Sequence, residues 1–310
     1  MDCFDNMLRI FAAVSGQEVM AIPVEGLGNV RALKVQLQGL CGVPRFRQCL
    51  IHNGKVLEDS MLFEAPFRVE LVLLPFSPAS SKQVAQLVDA ATHDRVSQVE
   101  EILQRPQDPN LLADAHVEGW RTSAQAPLHA AAMYGRVEVA RLLLEARADV
   151  DQPDEGNQTP LLLACSRSGE VPVVRLLLQA RADTSSALLV ATREGSTEAV
   201  CSILQAGADV NQVDALGVSP LWAASAKNYV QIADCLLDAK ANKDQTDHDG
   251  ATPLWAASCM GHVEAVRLLL AAGAKHDRVN HRGESPLSVA TREGETEVVV
   301  LLLTAGDQED

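Results

Sequence analysis

Several side-chain groupings in this sequence could do chemistry, and each fails once its spacing is worked through. The run Asp247-His248-Asp249-Gly250 has the acidic, glycine-turned character of a calcium loop. With Gly250 at the sixth loop position, the first ligand falls on Gln245 and the last on Ala256, where the ion needs carboxylates. Gly26-Leu27-Gly28-Asn29-Val30-Arg31 puts Arg where a dinucleotide-binding loop needs its third glycine. Cys3, Cys41, Cys49, Cys165, Cys201, Cys235 and Cys259 are odd in number and never form CxxC. They read as reduced core thiols of an intracellular protein, not as zinc ligands or a disulfide framework.

Phosphate-loop, zinc-protease and nucleophile-elbow patterns (GxxxxGK[ST], HExxH, GxSxG) do not occur, and the eight histidines are dispersed. Catalysis needs polar groups converging in a pocket, so a non-enzyme with no metal or cofactor is expected. The charge narrows the partners further. Residues 1–75 hold seven Lys/Arg against eight Asp/Glu; of the formal net charge of −15, −14 therefore falls on residues 76–310. An acidic second part lacks the cations that displace counterions from nucleic acid, and an anionic membrane would repel it. No apolar run approaches the ~18 residues that span a bilayer, and Met1-Asp2-Cys3-Phe4-Asp5 lacks the basic start of a secretory signal. A monomer in the cytoplasm, the nucleus or both is expected.

At 310 residues, the chain exceeds the usual size of one core. Leu8–Val14 and Glu18–Val24 read as strands around a turn at Ser15-Gly16-Gln17. From Asn29, the apolar residues Val30, Leu33, Leu37 and Leu40 recur at helical steps, with Asn29 as N-cap and Gly42 as stop. Asn53-Gly54 between Cys49–His52 and Lys55–Leu57 is a hairpin signal, and Val69–Leu74 supplies a last strand. Phe76–Ala85 is small and polar and reads as a linker.

This N-terminal part resembles ubiquitin and its single-copy relatives, most specifically in Leu50-Ile51-His52-Asn53-Gly54-Lys55-Val56-Leu57-Glu58-Asp59 followed by Glu70-Leu71-Val72-Leu73. The resemblance implies a β-grasp fold. It also implies an apolar reader patch at Ile51 and Val72, with Val14 as an uncertain third member. Both are open to the plainer reading of inward-facing strand residues. Leu74-Pro75-Phe76-Ser77 stands where the family carries its Gly-Gly tail, so conjugation is not expected, and Glu70 dilutes the family's basic patch.

Beyond residue 86 the chain repeats itself. Leu128, Leu161, Leu188, Leu221, Leu254 and Leu287 are spaced by 33, 27, 33, 33 and 33 residues. Pro-Leu-Trp-Ala-Ala-Ser occurs at 220–225 and 253–258, and Val-Ala-Thr-Arg-Glu-Gly at 190–195 and 289–294. In most units a Pro opens a short alanine-bearing helix, and a Gly (Gly135, Gly169, Gly195, Gly261, Gly294) closes that helix in most of them. A Val/Leu helix and an Asp/Asn/Gly loop follow. Such units hold together only by sharing apolar walls with neighbours. The pattern resembles the ankyrin repeat, best seen in Asp249-Gly250-Ala251-Thr252-Pro253-Leu254-Trp255-Ala256-Ala257 and Ala126-Pro127-Leu128-His129-Ala130-Ala131. The resemblance implies seven units, an all-α solenoid with β-hairpin fingers over 86–310, and structural histidines at His129 and His262. Three departures stand out: extra residues around Ala113–Arg121, a finger lost between Thr184 and Ala187, and Trp at 222 and 255 where the family usually has His. The chain closes in a polar tail, Asp307–Asp310.

Ankyrin arrays usually bind proteins through their fingers and inner helices. That mapping implies contacts at Met133, Tyr134, Asp214, Leu216, Lys227, Asn228, Asp247, His248, Asp249, Cys259, Met260, His281 and Arg282. Trp222 and Trp255 are either anchors on that face or fillers of the seam between repeats. The expected fold is thus two-domain: ubiquitin-like over 1–75, linker 76–85, ankyrin repeats over 86–310. The expected function is an adaptor whose array binds a protein client while its first domain docks on ubiquitin receptors or the proteasome. The alternative is a scaffold in which that domain only caps the array.

Overall fold

The structure, a computed structural model, describes residues 7–63, 67–113, 116–117, 120–121, 125–166 and 171–306. Cys3, Gly169 and the tail 307–310 lie outside the described residues. The chain divides into two compact units. One comprises Met1–Ala131 with Glu138–Asp149, the other Ala132–Val137 with Val150–Asp310.

The first unit begins with a five-stranded sheet: β1 (Met7–Ala12), β2 (Glu18–Pro23), β3 (Gln48–His52), β4 (Lys55–Val56) and β5 (Arg68–Leu73). Their order is β2-β1-β5-β3-β4, with β1 and β5 parallel and the other pairs antiparallel. Helix α1 (Val30–Cys41) packs on one face. The Asn29 side chain accepts from the Ala32 amide, and Gly42 ends the helix at φ 68°. Every second strand residue points at the helix, so Leu8, Ile10, Leu50, Val69 and Leu71 join Val30, Leu33 and Leu37 in one core. The Asn53-Gly54 turn has positive φ at both residues (49° and 76°), as a two-residue hairpin requires.

Helix α2 (Ser81–Thr92) starts inside the stretch read as linker. Ser80 and Gln83 cap its first turn reciprocally, a capping box that the Pro and Ser content of 76–85 concealed. Helices α3 (Val96–Gln104), α4 (Pro127–Met133) and α5 (Val137–Glu145) follow. After Ala113, β6 (His116–Val117) pairs antiparallel with β7 (Trp120–Arg121). Reciprocal backbone bonds of 3.1 Å join Ala113 and Gln125.

The second unit carries α6 (Pro160–Ser166), α7 (Val171–Gln179), α8 (Ala187–Glu194), α9 (Thr197–Gln205), α10 (Pro220–Ala226), α11 (Val230–Asp238), α12 (Pro253–Cys259), α13 (Val263–Ala271), α14 (Pro286–Glu293) and α15 (Thr296–Gly306). Among the described residues, the helices α2–α15 follow one another as seven consecutive pairs. The caps explain the starts: Ser219, Thr252 and Ser285 accept from the amide three residues on, and each is followed by Pro. Leu221, Ala224, Ile232, Leu236, Leu254, Ala257, Val266 and Leu269 are at most 1% exposed. Alanines on the inner helices let α8, α10, α12 and α14 approach closely, and each shielded Leu or Val contributes roughly 1.5–3 kcal/mol. Among the described residues no helix is long and apolar enough to cross a membrane.

The thiol reading needs one correction. Six described cysteines are free, but only Cys165 is buried; Cys41, Cys49, Cys201, Cys235 and Cys259 are half-buried. Cys41, Cys201, Cys235 and Cys259 sit at the margin of a helix's apolar stripe, and Cys49 lies on strand β3.

Candidate protein-binding faces

Each finger of the second unit is built around one side chain. Asp214 Oδ1 accepts from the amides of Leu216 (2.8 Å) and Val218 (2.9 Å), and Asp247 Oδ1 from those of Asp249 (3.0 Å) and Ala251 (2.8 Å). Asn280 and Asp154 do the same for the turns at 280–284 and 154–158. The position wants an acceptor oxygen three bonds beyond Cα, which Asp and Asn supply. Asp214 and Asp247, expected as partner contacts, also shape the finger with their carboxylates. Burial pushes the Asp214 carboxyl upward, but the Val218 and Leu216 amides and Arg193 outweigh it and hold it below its ordinary range. Arg193 Nη2 stands 2.6 Å from Asp214 Oδ2.

Neighbouring fingers are joined edge to edge. The His248 amide donates to Leu216 O and the His281 amide to Asp249 O, both at 2.9 Å. Behind them a second row of side chains repeats the link. Asn211 Oδ1 accepts from the Asn242 amide at 2.7 Å, and Asp244 Oδ1 from the Lys275 amide at 2.9 Å. Gly217 allows the close approach: a Cβ there would stand 2.6 Å from His248 Cδ2 and 2.9 Å from the His248 amide nitrogen.

This leaves Leu216, His248, Asp249, His281 and Arg282 exposed along the fingers, and Met260, Lys227 and Asn228 exposed where the inner helices end. Leu216 (66%) and Met260 (58%) are bare apolar groups in this row. Lys227 donates to Arg193 O at 2.7 Å. Met133, Tyr134 and Cys259 are half-buried. Trp222 and Trp255 are half-buried as well; Trp222 packs on Leu189, Val218 and Ala223, bridging two repeats. Both indole N–H groups are buried without a hydrogen-bond partner. His129 is fully buried and its Nδ1 accepts from the Ala126 amide at 3.2 Å, while His262 Nε2 lies 3.1 Å from Ala226 O.

These features decide the family. The model for ankyrin repeats matches three times, over residues 87–187, 188–280 and 221–310. The chain belongs to the ankyrin-repeat family. Neurogenic locus notch homolog protein 1 of Xenopus tropicalis is 35% identical over 124 residues, covering 37% of this chain and 5% of that protein. The Homo sapiens protein of the same name gives the same identity and coverage. The chain therefore spans about 5% of the length of these curated relatives. Among solved structures, the human ASB11 ankyrin repeat domain superposes with a TM-score of 0.60 at 27% identity, over 70% of this chain and 96% of that one. Ankyrin repeats are protein-binding modules.

On the N-terminal sheet, Cys49 pairs with Val72 and Ile51 with Glu70 across β3 and β5. Ile51 and Val72 thus lie diagonally adjacent on the face turned away from α1, both half-buried and neither in the core. Phe11 is level with Glu70 on the same face and carries the Arg68 guanidinium 4.2 Å above its ring. Val14 stands fully exposed in the first turn. The inward-facing alternative for Ile51 and Val72 does not hold.

Proposed function

We propose that this protein is a non-enzymatic adaptor that holds a protein client on its ankyrin fingers and docks through its N-terminal sheet on a ubiquitin-pathway or proteasome component. The observation that carries the second half is the sheet itself: order β2-β1-β5-β3-β4, one helix on one face, and Ile51 beside Val72 on the other. This arrangement supports a ubiquitin-like reading of residues 1–75, with the repeats from about residue 81 onward. Glu70 next to Ile51 favours readers that tolerate an acidic neighbour.

The client half follows from the exposed row of Leu216, His248, Asp249, Met260, His281 and Arg282, an apolar and charged mixture suited to a protein surface. Two experiments separate the halves. Ile51→Ala with Val72→Ala should abolish binding of purified ubiquitin receptors or proteasome to the full chain; unchanged binding ends the docking proposal. Leu216→Ala with Met260→Ala should remove a distinct set of neighbours in proximity labelling of the intact chain. The same labelled set in wild type and variant would reject the finger face as the client site.

A further inference from the structure

The first unit contains a buried cation whose partners come from three separate parts of the chain. Arg45 sits in a single 3-10 turn, Arg45–Arg47, between α1 and β3. Its side chain is wholly shielded from solvent, and each edge of the guanidinium meets a carboxylate. Nη1 lies 3.4 Å from Asp59 Oδ2, Nη2 2.9 Å from Glu100 Oε1, and Nε 3.0 Å from Glu145 Oε2. The Phe46 ring covers its flat face at 3.9 Å. Asp59 belongs to the sheet domain, but Glu100 is on α3 and Glu145 ends α5, in the first two repeats.

The surroundings alternate in charge. Lys34 Nζ meets Asp59 Oδ1 at 2.6 Å, and Arg31 Nη1 meets Glu100 Oε1 at 3.1 Å. A guanidinium withdrawn from water is strongly unfavourable unless its N–H groups all find acceptors. Asp59 alone cannot meet that need, and Glu100 and Glu145 would repel each other without the cation between them. Only the planar fork of arginine addresses three carboxylates in three directions. The connecting strand adds a second seam: the Ser77 amide donates to Pro106 O at 2.7 Å.

We propose that these contacts make the N-terminal sheet domain a fixed cap on the first two ankyrin repeats, locked by Arg45, and not a module swinging on a tether. The contact is electrostatic where an apolar one would have been the ordinary solution. It stands on geometry alone, whether or not the domain is ubiquitin-like, so its failure and that of the docking proposal are separate results.

Hydrogen exchange of the full-length chain tests it, comparing wild type, Arg45→Gln and Glu145→Gln. Arg45→Gln should speed exchange of the α3 amides and of the Arg45–Arg47 turn by about a hundredfold, with α10–α15 unchanged, because loss of a buried ionic partner shifts an opening equilibrium by about two powers of ten or more. Glu145→Gln leaves Arg45 two carboxylates and should give about tenfold at the same two places. It also decides the matter should Arg45→Gln unfold the sheet domain outright. Unchanged α3 exchange in Glu145→Gln, or acceleration confined to the sheet strands, overturns the cap.

Discussion

Replacing Gly217 with alanine probes the edge-to-edge joining of the fingers. Gly217 has φ 77°, where a Cβ costs about 1–2 kcal/mol. The same Cβ would stand 2.9 Å from the His248 amide nitrogen, which is backbone and cannot swing aside. Relieving that clash moves the next finger and stretches the His248–Leu216 hydrogen bond, worth about 0.5–1.5 kcal/mol, with overpacking strain of about 1–3 kcal/mol besides. Reduced freedom of the unfolded chain returns about 0.4–1 kcal/mol. The net expectation is about 4 kcal/mol. Gly283 is the internal control: its φ is 75°, but a Cβ there meets nothing within 4 Å. Gly283→Ala should cost about 1 kcal/mol or less. Urea unfolding followed by tryptophan fluorescence gives both values, and exchange of the His248 amide localises the effect. Equal losses for the two variants, within about 0.5 kcal/mol, would refute the reasoning, because they would leave only the backbone φ at work.

Asp214→Asn should destabilise the array by about 1 kcal/mol at neutral pH, since the amide keeps the finger bonds but loses their charge assistance. The folded carboxyl titrates below its unfolded value, so its stabilisation is full above the ordinary carboxylate range and vanishes as pH falls through the folded value. Wild type and variant should therefore converge in acid, and a difference that persists there would count against the assignment. Burial pushes the Cys165 thiol up to about 12; Cys235 is pushed to about 11, first by burial and then by the Cys201 sulfur 3.3 Å away. At pH 8 Cys235 should alkylate about a hundredfold, and Cys165 about a thousandfold, slower in the native chain than in urea, measured by mass spectrometry. Trp255→Phe should change stability by less than about 1 kcal/mol, because the lost contact is offset by removal of a buried donor without an acceptor. A larger loss would mean that the indole N–H is satisfied.

Much of this architecture could be read before any coordinates. The 33-residue period, the Pro that opens most inner helices and the leucines behind it dictated the helix pairs, because a pattern that repeats must bury the same face each time. Asn29, Gly42 and Asn53-Gly54 marked boundaries through capping and turn chemistry, which is local. What stayed hidden was which groups each side chain would meet. Asp214 and Asp247 looked like surface acids because sequence records the carboxylate but not the amides that fold back on it. Arg45 gave no sign at all: its partners stand 14, 55 and 100 residues away. The capping box at Ser80 and Gln83 was legible in principle, and the small polar composition around it drew attention away.

The connection from α7 to α8 turns at Thr184–Ser186 with no finger, so a finger is missing between the turn at 154–158 and the zipped set at 214, 247 and 280. On a perfectly periodic surface, a ligand can slide by one repeat and find nearly the same footing, which blurs where it sits. The gap breaks that degeneracy. A client with a single projection matched to the notch has one alignment available, so an omission in the chain sets the position along the ridge that identical teeth would have left open.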